Sequence, residues 1–226
     1  MDAPRLIDYL RGFSFSAALS PAELELLAGV AEWHTFPKYA FVYLSDTPSE
    51  TVFLLVKGAV KTGIYSPDGK EIIKRVHHPY DVFGEMGLSG ETRRHEFACA
   101  LGQEIHCLTV PVTSFQALLK QNVLFSQHII DLLGDRVRRA ERQWESMILK
   151  DVRSRIVEFL KESAGLRGRQ VGYETMVKHG LTQQDIANIV GASRQTVTAV
   201  LNELKKSNLI YFNRNTILIR DMEKLG

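Results

Sequence analysis

The chain has 226 residues, 45% of them hydrophobic and 24% charged, enough to bury a substantial core; two domains are expected. Its two cysteines, Cys99 and Cys107, are too few for a disulfide scaffold and form no CxxC pair, which excludes a zinc or dithiol redox motif and fits a reducing, cytoplasmic setting. The net charge of +2 hides an asymmetry: residues 151–226 carry 12 Lys/Arg against 8 Asp/Glu, or +4, and residues 1–150 carry 16 against 18, or −2.

The basic C-terminal third points toward polyanions, because phosphate attraction depends on local potential rather than on the total. The start, "MDAPRLIDYL", lacks the basic opening and apolar run of a secretory leader. No stretch reaches the roughly eighteen apolar residues of a membrane span. A soluble, cytoplasmic protein with no membrane partner is expected.

In chain order, "SPAE" places Ser20 as an N-cap, Pro21 at the first helical position and Glu23 at the reciprocal capping position, so a helix is expected to about Val30. From Trp33 to about Thr113 short β-rich runs follow. "TVFLLVKG", "AVKTGIY", "KEIIKRVH", "HEFACA" and "EIHCLTVP" read as strands, with "SPDG" as a turn, giving a compact antiparallel sandwich or roll. After Pro111 the period becomes helical. Ile130, Leu133, Val137, Ala140, Trp144 and Met147 step by three and four residues, a heptad seam. Such a seam either packs on its own β-domain or pairs with a second copy. Ile129, Leu132 and Ile148 supply a second apolar flank, which leaves the seam over for a homodimer interface.

Asp151 can cap a further helix, "VRSRIVEFLKESAG", with Gly165 as its expected stop. "LRGRQVGYETMVKHG" is expected as a loop with short strands, and "LIYFNRNTILIRD" as a hairpin around Asn213-Arg214-Asn215. Between them, Thr182 caps a helix with Ile186, Ile189 and Val190 inward, Gly191 breaks it, and Ser193 caps a second helix with Val197, Val200, Leu201 and Leu204 inward. The pattern alone would suit an ordinary helical hairpin. The second helix, however, projects Arg194, Gln195 and Thr198 from its start, where an Arg fork can meet guanine and a Gln amide adenine in the major groove. Thr182, Ser193, Thr196 and the helix N-termini can meet phosphates, and Lys205 and Lys206 extend the positive rim. The pattern is that of a helix-turn-helix with a wing.

Helix, β-roll, long helix and winged helix-turn-helix in this order resemble the Crp/Fnr family of bacterial transcription regulators over nearly the whole chain. "LTQQDIANIVGASRQTVTAVLNELKKSNLI" is similar to the family's DNA-recognition signature, and "FGEMGLSGETRRHEFACA" to its cyclic-nucleotide phosphate cassette. The resemblance implies an α+β chain with a cyclic-nucleotide-binding-like jelly roll over residues 1–122, a dimerisation helix over 123–150 and a winged helix-turn-helix over 151–226. It further implies a homodimer on double-stranded DNA carrying an inverted repeat, with RNA polymerase as a partner.

The same resemblance makes Gly84, Glu85, Arg94, His95 and Glu141 the candidate effector-binding residues. In the cyclic AMP receptor branch a Gly-Glu pair and an Arg-Ser pair hold ribose and phosphate, and a Thr-Ser pair on the long helix meets adenine. Here Gly84, Glu85 and Arg94 match if one loop residue is deleted, but His95 replaces the Ser, Glu96 follows it, and Ala140-Glu141 replaces the Thr-Ser pair. Adenine recognition is therefore expected to be lost, and a cyclic nucleotide is the only cofactor that the resemblance brings forward. Two cysteines fall short of the roughly four thiolates of an iron–sulfur cluster. Lone histidines such as His77 and His78 read as structural rather than as haem ligands, and no metal site is expected. No nucleophile–base pair or carboxylate cluster stands at catalytic spacing, so no enzyme is expected. A cyclic-nucleotide-binding regulatory or anchoring module acting through a protein partner is the alternative, and it leaves the helix-turn-helix unexplained.

Overall fold

The computed structural model describes residues 3–213 and 216–225. The chain forms two compact units, residues 1–65 with 74–138 and residues 66–73 with 139–226.

The first unit opens with helix α1 (Ala3–Leu10), a 3₁₀ turn (Ser14–Ala18) and α2 (Pro21–Val30). Helix α2 starts as expected, with a full capping box between Ser20 and Glu23. Helix α1 is eight residues, only about two turns, and sequence reading missed it. Strands β1 (Glu32–Phe36), β2 (Phe41–Tyr43), β3 (Thr51–Lys57), β4 (Val60–Tyr65), β5 (Glu71–His77), β6 (Val82–Phe83), β7 (Phe97–Ala100) and β8 (Ile105–Pro111) build two sheets, ordered β1-β8-β3-β6 and β2-β7-β4-β5. Each pairing whose register is resolved in these sheets is antiparallel.

Strand β3 is apolar from Val52 to Val56 because both of its faces are covered. Phe53 and Leu55 point into the roll with Tyr43, Phe83, Ile105 and Cys107. Val52 and Leu54 point the other way, with Leu108 and Val110, against Leu10, Phe15, Leu27, Phe115 and Phe125 of the helical layer. Helix α3 (Val112–Gln121) completes that layer. Asn122 then turns the chain: its amide donates to the Ala18 carbonyl at 2.8 Å, and its oxygen accepts from the Phe125 N–H at 2.9 Å, capping α4 (Val123–Leu149).

Helix α4 buries Phe125 and Ile129 and leaves Ile130, Val137, Trp144 and Met147 exposed, at 60%, 58%, 68% and 37%. Leu132 and Leu133 pack partly on the helical layer. Ile148, expected on the covered flank, is exposed; it stands roughly four turns beyond Leu133, which packs on the helical layer.

In the second unit α5 (Val152–Arg167) is capped by Asp151, whose carboxylate accepts from the Ser154 N–H at 2.7 Å. The expected stop at Gly165 is incorrect: the helix runs on to Arg167. A Cβ at Gly165 would meet open space, so a helix tolerates glycine there, at a cost of about 1 kcal/mol. Strands β9 (Arg169–Val171) and β10 (Glu174–Lys178) pair with β11 (Ile210–Phe212) and β12 (Thr216–Ile219) in the order β11-β12-β10-β9. Part of the expected Asn213-Arg214-Asn215 turn, Arg214 and Asn215, lies outside the described residues. Helices α6 (Gln183–Val190) and α7 (Arg194–Lys206) form the helical pair.

Among the described residues no helix is long and apolar enough to cross a membrane, and no group of three or more His, Cys, Asp or Glu is placed to hold a metal ion.

Candidate nucleic-acid interface and effector site

Helix α6 begins with a capping box: the Asp185 N–H donates to the Thr182 hydroxyl oxygen at 3.1 Å, and the Thr182 N–H donates to Asp185 Oδ2 at 2.9 Å. It ends at Gly191, whose φ of +65° is the left-handed conformation that reverses a chain at a helix C-terminus. Arg155 of α5 locks this turn by donating from Nε to the Val190 carbonyl at 2.9 Å. Helix α7 is capped by Ser193, which accepts from the Thr196 N–H at 3.0 Å and lies 2.8 Å from the Thr196 hydroxyl. Ile186, Val190, Val197, Leu201 and Leu204 are buried between the helices, so α7 is presented on a rigid mount. His179, just before α6, accepts from the Leu181 N–H at 3.0 Å; burial first, then the Arg167 guanidinium, pushes its pKa down to about 4, so it stays neutral near pH 7.

Most of the predicted DNA-contact residues cluster at one end of the helical pair. Arg194 and Gln195 are exposed and, with Thr198, Ala199 and Asn202, line a shallow depression on α7. The hydroxyls of Thr182, Ser193 and Thr196 are engaged in the caps of α6 and α7. Lys205 stands apart, over the rings of Tyr211 and Phe212 at 5.0 and 5.5 Å, held against the wing by cation–π attraction. Sequence reading missed Asn202, which falls one turn beyond Thr198 and was detectable by helical spacing. It also missed Gln183, whose Oε1 lies 2.6 Å from the Thr198 hydroxyl.

The roll holds a second polar cluster. Gly84, with φ of +69°, leads into Glu85, and a Cβ at Gly84 would stand 2.7 Å from Arg94 Nη1. Arg94 is buried, donates to the carbonyls of Gly84 at 3.3 Å and Thr51 at 2.7 Å, and stacks 3.9 Å from the Tyr43 ring. Glu85 is fully buried and ion-paired to Arg136 of α4, which also donates to the Val82 carbonyl at 2.7 Å. Burial raises the Glu85 pKa against the opposing pull of Arg136. Burial first, then Glu96, holds the Tyr43 phenol well above its ordinary range. The Tyr43 hydroxyl and Arg136 Nε lack hydrogen-bond partners among the described residues.

His95 turns its side chain to solvent and offers only its backbone N–H, to Glu91 Oε1 at 3.1 Å. Glu96 pairs with Lys74 at 3.5 Å. Glu141 is exposed on α4. Arg136 escaped the sequence reading because, within "DRVRRAER", nothing local separates it from solvated arginines. Two guanidiniums and a buried carboxylate can receive an anionic, hydroxyl-bearing group.

Residues 33–122 match the family model of the cyclic nucleotide-binding domain and residues 154–226 that of the Crp-like helix-turn-helix domain. The chain is 28% identical over 208 residues to the CRP-like cAMP-activated global transcriptional regulator of Mycobacterium tuberculosis, covering 92% of each chain. It is 28% identical over 198 residues to the global nitrogen regulator of Synechocystis, covering 87% of each. The solved structure of FixK2 from Bradyrhizobium japonicum superposes with a TM-score of 0.78 at 24% identity, over 87% of this chain and 96% of that one, a likeness of fold. With the roll, the long helix and the helix-turn-helix each accounted for in one order, the chain belongs to the Crp/Fnr family of transcription regulators.

Proposed function

We propose that this transcription regulator acts as a homodimer on an inverted-repeat operator, with α7 of each protomer in a major groove and half-site centres roughly 34 Å apart. The observation that carries the reading is the solvent-facing start of α7: Arg194 and Gln195 stand free beside capped N-termini on a packed two-helix mount. The exposed apolar stripe from Ile130 to Met147 supports a two-fold seam, as does the length of α4. Division of labour along the chain follows the family pattern, with an effector-binding-like part to residue 122, a dimerisation helix to 150 and the DNA-binding part beyond. RNA polymerase enters as the partner that the family resemblance implies, and a cytoplasmic location follows from DNA as the target.

Arg194 is assigned to a guanine, and Gln195 to an adenine through its paired donor and acceptor. Thr182, Ser193 and Thr196 are assigned to phosphates at the helix N-termini they belong to, and Lys205 through its own charge. Arg194→Ala is expected to cost about 1–3 kcal/mol of operator affinity and to relax preference at one base pair. A gel shift against operators varied at each position reads this directly; equal weakening on every sequence would demote Arg194 to a phosphate contact.

For the effector, Gly84, Glu85 and Arg94 with Arg136 are assigned to an anionic, hydroxyl-bearing small molecule, with His95 and Glu141 at most peripheral. With Ala140 and Glu141 where the resemblance places a hydroxyl pair, cyclic AMP loses that base contact, and a ligand without differential contacts cannot shift a conformational equilibrium. Millimolar cyclic AMP is therefore expected to change operator affinity less than about threefold, under 1 kcal/mol of coupling. Calorimetry with cyclic AMP and cyclic GMP, paired with operator binding, tests it. A tenfold tightening that is lost in Arg94→Ala would place this chain with its Mycobacterium relative. No iron–sulfur cluster enters the reading, since Cys99 and Cys107 are both buried and burial pushes the Cys107 thiol up to about 12.

A further inference from the structure

The outer face of α7 contains more than the two long polar side chains at its start. Arg194, Gln195, Thr198, Ala199 and Asn202 line one depression, at intervals that keep them on a single helical stripe. Its rim is polar, made of a guanidinium and two amides. Its floor is not.

Thr198 supplies half of that floor, and its hydroxyl is already committed. The oxygen lies 2.6 Å from Gln183 Oε1 and 2.8 Å from the Arg194 carbonyl, both acceptors, so its single proton is committed within the helix pair. The apolar group that Thr198 can present is its γ-methyl. Beside it, Ala199 is exposed and has only a β-methyl to offer. The floor therefore carries no charge for a phosphate and no free donor for a base edge, and two methyls are its apolar surface.

Among the groups that base pairs expose in the major groove, the 5-methyl of thymine is the apolar one. We propose that Thr198 and Ala199 form a contact for a thymine 5-methyl group, which makes them specificity-determining residues of the half-site. Asn202, one turn further on, offers a carboxamide of the kind that pairs with adenine. The inference rests on the proposal that α7 reads DNA bases, and it changes the role of Thr198 from hydrogen bonding to methyl recognition.

Duplexes would be selected by the full-length protein from a random pool, and each thymine of the enriched sequence then replaced by uracil, symmetrically in both half-sites. Uracil differs from thymine only by the methyl. Wild type is expected to show one thymine per half-site at which uracil weakens binding roughly fourfold, the value of one buried methyl, measured by fluorescence anisotropy. Thr198→Ser, which keeps the hydroxyl and removes the methyl, is expected to cut that discrimination to about twofold or less. Thr198→Val, which keeps the methyl, is expected to retain it. Uracil tolerated at every position by wild type would overturn the inference while leaving base reading intact. Discrimination kept in Thr198→Ser but lost in Thr198→Val would overturn it in favour of the hydroxyl. Failure to enrich any sequence would remove base reading and this inference together.

Discussion

Val137→Asp is expected to dissociate the dimer and to abolish operator recognition in the same step. Val137 is 58% exposed in the single chain, so an aspartate there is solvated and the protomer keeps its fold. In a two-fold seam the same substitution sets two carboxylates against each other in an apolar strip, where an unpaired charge is strongly penalised. A penalty of about 3 kcal/mol already weakens association by roughly 100-fold. Sedimentation should show monomer at micromolar concentration. Gel shifts should show loss of the specific complex, because one α7 then reads a half-site alone. Weak, salt-sensitive binding carried by the basic C-terminal part should survive. A Val137→Asp protein that sediments as a dimer would remove the Ile130–Met147 stripe from the interface.

Arg136→Met is expected to destabilise the roll by about 3–5 kcal/mol at neutral pH, because it leaves the Glu85 carboxylate buried without its cation. The loss should be smaller in acid. Burial already raises the Glu85 pKa, and removing Arg136 raises it further, so the folded state binds a proton that the unfolded state does not. A carboxyl whose folded pKa exceeds its unfolded value loses stability as pH rises above the unfolded value. Urea denaturation at pH 5 and pH 8 should therefore separate the mutant from wild type most at the higher pH. The double variant Glu85→Gln, Arg136→Met, which removes both charges, is expected to recover most of the loss. An Arg136→Met protein as stable as wild type at pH 8 would show that the pair contributes nothing to the roll.

The elements that were legible without coordinates are those specified by neighbours a few positions apart. The Ser20–Glu23 box, the Asp151 cap and the Thr182 and Ser193 caps each involve a side chain and an amide three residues away, and each forms as its residue types require. The β-rich run of β3 announced a strand, though not that both of its faces would be covered. Where local signals were weak, expectation failed. Strand β6 has two residues, too few for any period, and α1 has eight, only about two turns. Gly165 looked like a stop because glycine often is one, yet the helix passes through it on an open face.

Fold class, helix-turn-helix and the exposed start of α7 were thus determined by the sequence alone, since hydrophobic period and capping chemistry act over a turn or two. The interior of the roll was decided only by tertiary structure. Arg94 bonds to Thr51 across 43 positions, and Arg136 to Val82 across 54. The role of Thr198 is set by Gln183, a residue of the other helix, 15 positions away. No local pattern distinguishes a buried, paired arginine from a solvated one, or a threonine that offers its hydroxyl from one that offers its methyl. That distinction depends on which distant groups the packing of the core brings within hydrogen-bonding reach.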